Sequence, residues 1–199
     1  MAGWQHIELA DADLELDRAW LSPAQADALF AALRDAIAWE THRISLFGRE
    51  VDSPRLSCWI GDPDAVYTYS RTRFEPRPWP DALSTIRARL RSETGVDFNS
   101  VLANLYRDGR DAMGWHSDSE PELGAQPVIA SLSLGAMRRF VLKDRHDPAR
   151  KLALELPSGS LLLMRGDTQR HYQHALPRTA KPVGARVNLT FRRIEIAQA

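Results

Sequence analysis

Cysteine is almost missing from this 199-residue chain, where Cys58 stands alone. A single thiol excludes an internal disulfide and suits a reducing compartment, so a cytoplasmic location is expected, or a nuclear one in a eukaryote. Cys58 itself reads as a small buried hydrophobe rather than a reactive group. Long apolar runs are also lacking: no stretch approaches the roughly 18 residues of a membrane-spanning helix. Met1–Ala10 has no basic segment followed by an apolar one, so no secretory leader is expected. Low-complexity tracts and fixed-period repeats are absent, which sets aside repeat architectures and confines expected disorder to the termini.

Net charge is lacking too, since 26 Lys and Arg balance 26 Asp and Glu. The two signs are not evenly spread. Residues 1–40 hold two arginines against eight acids, whereas residues 138–199 hold thirteen Lys and Arg against five acids. Such asymmetry suits a basic face for an anion such as nucleic acid, and equally a solvated charged surface. Arg138, Arg139, Lys143, Arg145, Arg150 and Lys151 form the densest basic stretch, able to follow a phosphate backbone. At 44% hydrophobic and 26% charged, the chain has the composition of one globular domain. A monomer is the default expectation.

What is present begins with a strand expected over 13–20 and a helix signalled by Ser22-Pro23-Ala24-Gln25. Ser22 can cap, Pro23 fits the first helical position and Gln25 completes a capping box. Leu29, Phe30, Leu33 and Ile37 then recur at helical spacing. A second helix is predicted over 80–94, with Leu83, Ile86 and Leu90 inward and Gly95 as its stop. Between the helices, 44–47, 56–60 and 66–69 are strand-like. Further strands are predicted at 101–106, 128–134, 139–143, 152–156, 160–164 and 187–193, several of them separated by Pro/Gly turns. Helices first and many strands after indicate an α+β fold, with an antiparallel double-sheet core and helices against one face.

His116-Ser117-Asp118 carries the first chemical signal. In an extended segment alternate side chains share a face, so His116 and Asp118 can address one atom. Two histidines and a carboxylate on one side of a cation mark non-haem Fe(II) oxygenases. His146, His171 and His174 are all candidates for the third ligand. The second signal is Arg186-Val187-Asn188-Leu189-Thr190-Phe191-Arg192. Val187, Leu189 and Phe191 form one apolar face, while Arg186, Asn188, Thr190 and Arg192 line the other. An edge strand facing solvent has this pattern, and so does a receptor for a small dicarboxylate, because arginine pairs bidentately with carboxylate. Asn104 and Tyr106 share a face on their own strand in the same way.

These residues together resemble the AlkB-type iron- and 2-oxoglutarate-dependent dioxygenases, which remove alkyl groups from nucleic-acid bases. The resemblance runs from Asn104-Leu105-Tyr106-Arg107-Asp108-Gly109 through Trp115-His116-Ser117-Asp118 and His174-Ala175-Leu176-Pro177 to Arg186–Arg192. It implies a double-stranded β-helix, or jelly-roll, core over 98–196, preceded by a 1–97 extension with helices and nucleotide-recognition hairpins, in one domain spanning 1–199. It selects His174 as third ligand to Fe(II), and assigns 2-oxoglutarate to Asn104, Tyr106, Arg186, Asn188, Thr190 and Arg192, with dioxygen as the other co-substrate. The implied substrate is alkylated DNA bearing bases such as 1-methyladenine and 3-methylcytosine. Leu46-Phe47-Gly48-Arg49 is similar to the hairpin of the duplex-acting branch, which makes Phe47 a wedge between bases, Gly48 its turn and Arg49 a phosphate contact. Tyr67 and Tyr69 match aromatics that hold the flipped base, and Glu120, two residues after Asp118 on the same alternating face, is expected to approach the substrate as well. Two alternatives stand beside this reading. One keeps the iron chemistry but acts on RNA, protein or a small molecule; the other is a nucleic-acid-binding module without catalysis.

Overall fold

Two short strands, β1 (Gln5–His6) and β2 (Asp13–Asp17), lead into helix α1 (Pro23–Ala36). The capping box expected at Ser22 is present: its Oγ accepts from the Gln25 N–H at 3.3 Å, and Gln25 Oε1 accepts from the Ser22 N–H at 3.0 Å. Such a cap contributes about 1 kcal/mol. Next come β3 (Arg43–Leu46), β4 (Arg49–Asp52), β5 (Leu56–Gly61), β6 (Tyr67–Tyr69), β7 (Thr72–Phe74) and helix α2 (Asp81–Thr94). Gly95 ends α2 in the left-handed region at φ 73°, its N–H donating to Arg91 O. That conformation costs glycine little and other residues more. The computed structural model describes residues 3–46, 49–69 and 72–195, with backbone alone at 44–46, 49–50, 67–69 and 72–74.

The remaining strands are β8 (Ser100–Tyr106), β9 (Met113–His116), β10 (Ile129–Gly135), β11 (Arg138–Asp144), β12 (Lys151–Leu156), β13 (Leu161–Arg165), β14 (Tyr172–Leu176) and β15 (Arg186–Arg192). A 3-10 turn (Pro121–Leu123) follows β9, and the short α3 (Thr168–His171) precedes β14. Among the described residues the strands form a seven-stranded sheet in the order β1-β2-β13-β10-β15-β8-β5 and a four-stranded sheet in the order β12-β11-β14-β9. All the pairings in both sheets are antiparallel. β3–β4 and β6–β7 are separate hairpins.

Side-chain alternation explains how these layers stack. Val101, Ala103 and Leu105 of β8, with Val187, Leu189 and Phe191 of β15, face Leu33 of α1 and Leu83, Ile86 and Leu90 of α2 in one buried cluster. Each of the larger of these side chains, fully removed from water, contributes about 1.5–3 kcal/mol before entropy is counted. The opposite face of the large sheet meets the small sheet. There Leu14, Leu16, Leu162 and Met164 pack against Phe140, Leu142, Leu154 and Leu156 as an apolar plug. Trp59, Ala65, Leu123 and Ile194 form a smaller apolar cluster of their own. The remaining inward-facing positions are polar, and they make the site. Helices on one sheet face and a two-sheet antiparallel core agree with the α+β jelly roll expected from the sequence.

β9 and β14 were not foreseen as strands, and Asp118 lies beyond the end of β9 rather than on it. Gly135 closes the β10–β11 connection at φ 79°, where an added Cβ would lie 2.5 Å from Ala185 O and 2.8 Å from Phe30 Cε2. No other residue fits there without displacing backbone.

Candidate metal centre and co-substrate pocket

Neighbouring strands bring the distant ligands together. β14 pairs with β9 so that His174 lies directly opposite His116, and both imidazoles turn into the space between the sheets. Their ring centroids are 4.2 Å apart. Asp118 is delivered by the turn after β9, with Oδ2 3.9 Å from His174 Nε2. One donor atom from each of His116, Asp118 and His174 lies within 4.8 Å of the others. His171, the rival third ligand, closes α3 instead, and its carbonyl accepts from the Arg145 N–H. His146 sits exposed in the β11–β12 turn.

Hydrogen bonds fix each ligand. His116 Nδ1 is 2.8 Å from Gly114 O, which places its proton on Nδ1 and leaves Nε2 as a donor atom for a cation. Asp118 Oδ1 accepts from Arg192 Nη2 at 2.6 Å, whereas the buried Oδ2 has no hydrogen-bond partner. A buried carboxylate oxygen left in this way is costly unless a cation meets it. The donor set and this orphaned oxygen therefore fit Fe(II).

Electrostatics prepare the same state. Burial pushes the His174 imidazole down to about 3, and His116 adds to the effect. Burial also lowers His116, against the pull of Asp118. For Asp118 burial acts upward, but Arg192 and then the two imidazoles outweigh it, so its carboxyl lies below the usual range. Neutral imidazoles beside an ionised carboxylate need lose no proton to take a metal. A sign follows for stability. Between its ordinary 6.5 and about 3, His174 is protonated in the unfolded chain and neutral in the folded one. The metal-free protein therefore loses stability as pH falls through that window, and the lowered Asp118 acts in the same direction. Urea midpoints at neutral and mildly acid pH should drop in the wild type and drop less in His174→Leu. An equal loss in both would refute the assignment.

The polar face of β15 is not a solvent face. Arg186 is fully buried, and Asn188 and Arg192 are 7% and 2% exposed. Register sets Arg186 opposite Tyr106, Asn188 opposite Asn104 and Thr190 opposite Leu102, so the sequence-predicted pocket residues lie side by side on β15 and β8. Arg186 Nη2 donates to Ser133 Oγ at 2.9 Å and to Asn188 Oδ1 at 3.1 Å, while Nε and Nη1 are buried with no hydrogen-bond partner. Burial lowers this guanidinium to about 10, with Tyr106 opposing, and it stays charged at neutral pH. A buried cation with unmet donors is a site for a carboxylate, and 2-oxoglutarate supplies one at each end.

Several participants escaped the sequence reading. Arg55, just before β5 and 7% exposed, donates from Nε to Asn104 Oδ1 at 2.8 Å. Gln169 accepts the Asp118 N–H at 2.9 Å, and Ser117 Oγ donates to Tyr172 O at 2.7 Å, so the Asp118 turn is pinned to α3 and β14. Ser131 and Ser133 hold Asn188 and Arg186. Only the alternating Ser131-Leu132-Ser133 pattern signalled any of these. Arg138 corrects the expected phosphate-binding stretch. It is 3% exposed, and its guanidinium donates to the carbonyls of Asp108, Asp111 and Pro177, which makes it an internal clamp. Arg150 is likewise engaged, with Asp144 and Asp11.

The substrate-side residues are less visible. Phe47 and Gly48 lie outside the described residues, as do the side chains of Arg49 on β4 and of Tyr67 and Tyr69 on β6. Glu120 starts the 3-10 turn after Asp118, with a buried Oε2 that has no hydrogen-bond partner.

Residues 13–192 match the family model of the 2OG-Fe(II) oxygenase superfamily. The chain is 39% identical over 179 residues to the alpha-ketoglutarate-dependent dioxygenase alkB homolog 3 of Rattus norvegicus, covering 85% of this chain and 60% of that one. Against the DNA oxidative demethylase ALKBH2 of Homo sapiens, identity is 38% over 201 residues, covering 96% and 77%. The chain thus spans about three fifths of the alkB homolog 3 relatives and more of ALKBH2. The solved structure of OsALKBH1 shares the fold, with a TM-score of 0.63 at 18% identity over 96% of this chain. With the His-Asp-His cluster, the buried arginine pocket and this similarity all in place, the chain belongs to the AlkB homologues of the 2OG-Fe(II) oxygenase superfamily.

Proposed function

We propose that this protein removes alkyl groups oxidatively from N-alkylated bases in DNA, such as 1-methyladenine and 3-methylcytosine. The observation that carries the reading is the pairing of an orphaned Asp118 oxygen among two neutral imidazoles with a buried, partly unmet Arg186 in the same interior. The names of the similar proteins, a DNA oxidative demethylase among them, support DNA as the substrate. When bound, Fe(II) with 2-oxoglutarate and dioxygen supplies the oxidant that hydroxylates the N-alkyl carbon. 2-Oxoglutarate leaves as succinate and carbon dioxide, and the hydroxylated base releases an aldehyde.

The chain's own residues provide the rest. His116, Asp118 and His174 would hold the metal, and Arg192 keeps Asp118 Oδ1 occupied, which leaves Oδ2 as the carboxylate oxygen available to it. Arg186 takes the distal carboxylate, with Asn104, Tyr106, Asn188, Thr190 and Arg192 completing the pocket. The target base leaves the helix to reach the site. Phe47 fills the vacated space and Arg49 meets phosphate, while Tyr67, Tyr69 and Glu120 hold the flipped base. Residues 1–199 act as one catalytic domain and as a monomer, in the cytoplasm or, in a eukaryote, the nucleus. Among the described residues no helix is long and apolar enough to cross a membrane.

The test is turnover of 1-methyladenine and 3-methylcytosine in single- and double-stranded DNA and in RNA, reading formaldehyde and succinate together. Equimolar release of both from DNA is expected. Release from RNA alone would move the substrate class, and DNA binding without succinate would leave a non-catalytic module. Phe47→Ala should lower duplex turnover more than single-strand turnover; an unchanged ratio removes the wedge.

A further inference from the structure

With Arg138 buried and the exposed Arg150 paired to Asp144 and Asp11, Arg139, Lys143, Arg145 and Lys151 are left of the six cations in the basic stretch. Arg139 and Lys143 alternate on the outer face of β11, Lys151 lies opposite Lys143 on β12, and Arg145 begins the turn between them. Lys143 and Arg145 have no carboxylate partner among the described residues. The carboxylates of this region are mostly engaged. Asp144 is buried and paired with Arg150, Asp147 accepts its own turn's Ala149 N–H, and Glu155 stands opposite Arg139. The outer face of the small sheet is therefore positive around Lys143.

An aromatic group sits in the same place. Trp115 is 43% exposed, somewhat more than Trp4 at 38%, and Lys143 Nζ lies 4.4 Å from its ring centroid. β9 is an edge strand, and Trp115 precedes His116 on it. His116 turns inward to the metal site, so alternation turns Trp115 to the outer side of the same strand. Arg145 reaches the same turn, donating from Nη2 to Ser117 Oγ at 2.7 Å. A polymer with one unit in the site must continue past the margin of the sheet. Along the β9 margin it would meet an indole and then two cations.

We propose that Trp115, Lys143 and Arg145 form a track for the single strand of nucleic acid that flanks the base in the site. This rests on the nucleic-acid reading above. The indole stacks on a neighbouring base, a contact indifferent to sequence because every base has a π-face, and Lys143 and Arg145 meet the adjoining phosphates. An exposed tryptophan beside cations that lack a carboxylate partner fits a strand with bare bases better than the uniform phosphate surface of a closed duplex.

The test needs neither metal nor co-substrate. Binding of a labelled, lesion-free oligothymidylate of about ten nucleotides is read by fluorescence anisotropy across a salt series, on variants first shown by melting to be folded. Trp115→Ala should weaken binding by roughly ten-fold, with most of the affinity kept in Trp115→Phe. Lys143→Gln should make the slope of log affinity on log salt shallower by about 0.7. If wild type turns over methylated DNA but Trp115→Ala and Lys143→Gln bind the strand as wild type does, the track is wrong and the function stands. If wild type neither binds the strand nor turns over methylated DNA or RNA, both fall together.

Discussion

Asp118→Ala should lose metal binding and, with no metal present, should also be several kcal/mol less stable than wild type. Both effects come from one side chain. Its Oδ2 is the orphaned donor of the metal centre, and its Oδ1 neutralises an Arg192 that is only 2% exposed. Removing one partner of a buried pair takes away the other charge's counter-ion, at a cost of about 3–5 kcal/mol. Loss of a direct ligand should exceed the roughly 100-fold effect that follows loss of an outer hydrogen-bond partner. Co(II) titration followed by visible absorption reads the first effect, and urea denaturation of the metal-free protein reads the second. His174→Ala separates them, because it removes a ligand but keeps the Asp118–Arg192 pair. Wild-type Co(II) affinity in Asp118→Ala would end the metal assignment, and wild-type stability would end the account of Arg192.

Arg186→Met should reverse the usual relation between a buried residue and stability. The guanidinium is fully buried, with two nitrogens lacking hydrogen-bond partners. Replacing such a cation with an apolar side chain of similar length is often neutral or stabilising. The ligand-free variant should therefore denature at the same urea concentration as wild type or a higher one, apart from the small cost of releasing Ser133 and Asn188. Affinity for 2-oxoglutarate should fall by about 2–5 kcal/mol, roughly 30-fold to several thousand-fold. Arg186→Lys should not restore it, since an ammonium cannot reproduce the planar fork. Melting with and without 2-oxoglutarate checks both halves. A variant still stabilised by the ligand as strongly as wild type would move the distal carboxylate elsewhere.

Legibility from sequence varied with the kind of pattern. Ser22 to Gln25 and Gly95 announced the two helices because caps are local chemistry. The β15 alternation separated the core face of Val187, Leu189 and Phe191 from a polar face. It could not tell that the polar face is enclosed, because that depends on β9, β11 and β14 covering it. β9 and β14 themselves were invisible. They are four and five residues long, and the histidines they carry break the apolar alternation that marks a strand. Arg138 was misread because sequence displays a charge but not the three carbonyls gathered around it. Arg55 and Gln169 had no periodicity to reveal them, since each reaches its partner across a long stretch of chain.

The order of strands in the large sheet bears on how the molecule comes into being. Its middle, β13-β10-β15-β8, comes from residues after 98, while β1 and β2 guard one margin and β5 the other. Strand β2 therefore cannot join the large sheet until β13, far along the chain, has been made. A fragment beginning near residue 98 would display two bare margins, each ready to pair with a stranger. Such a piece should clump rather than assemble, and the intact protein should fold slowly for its size.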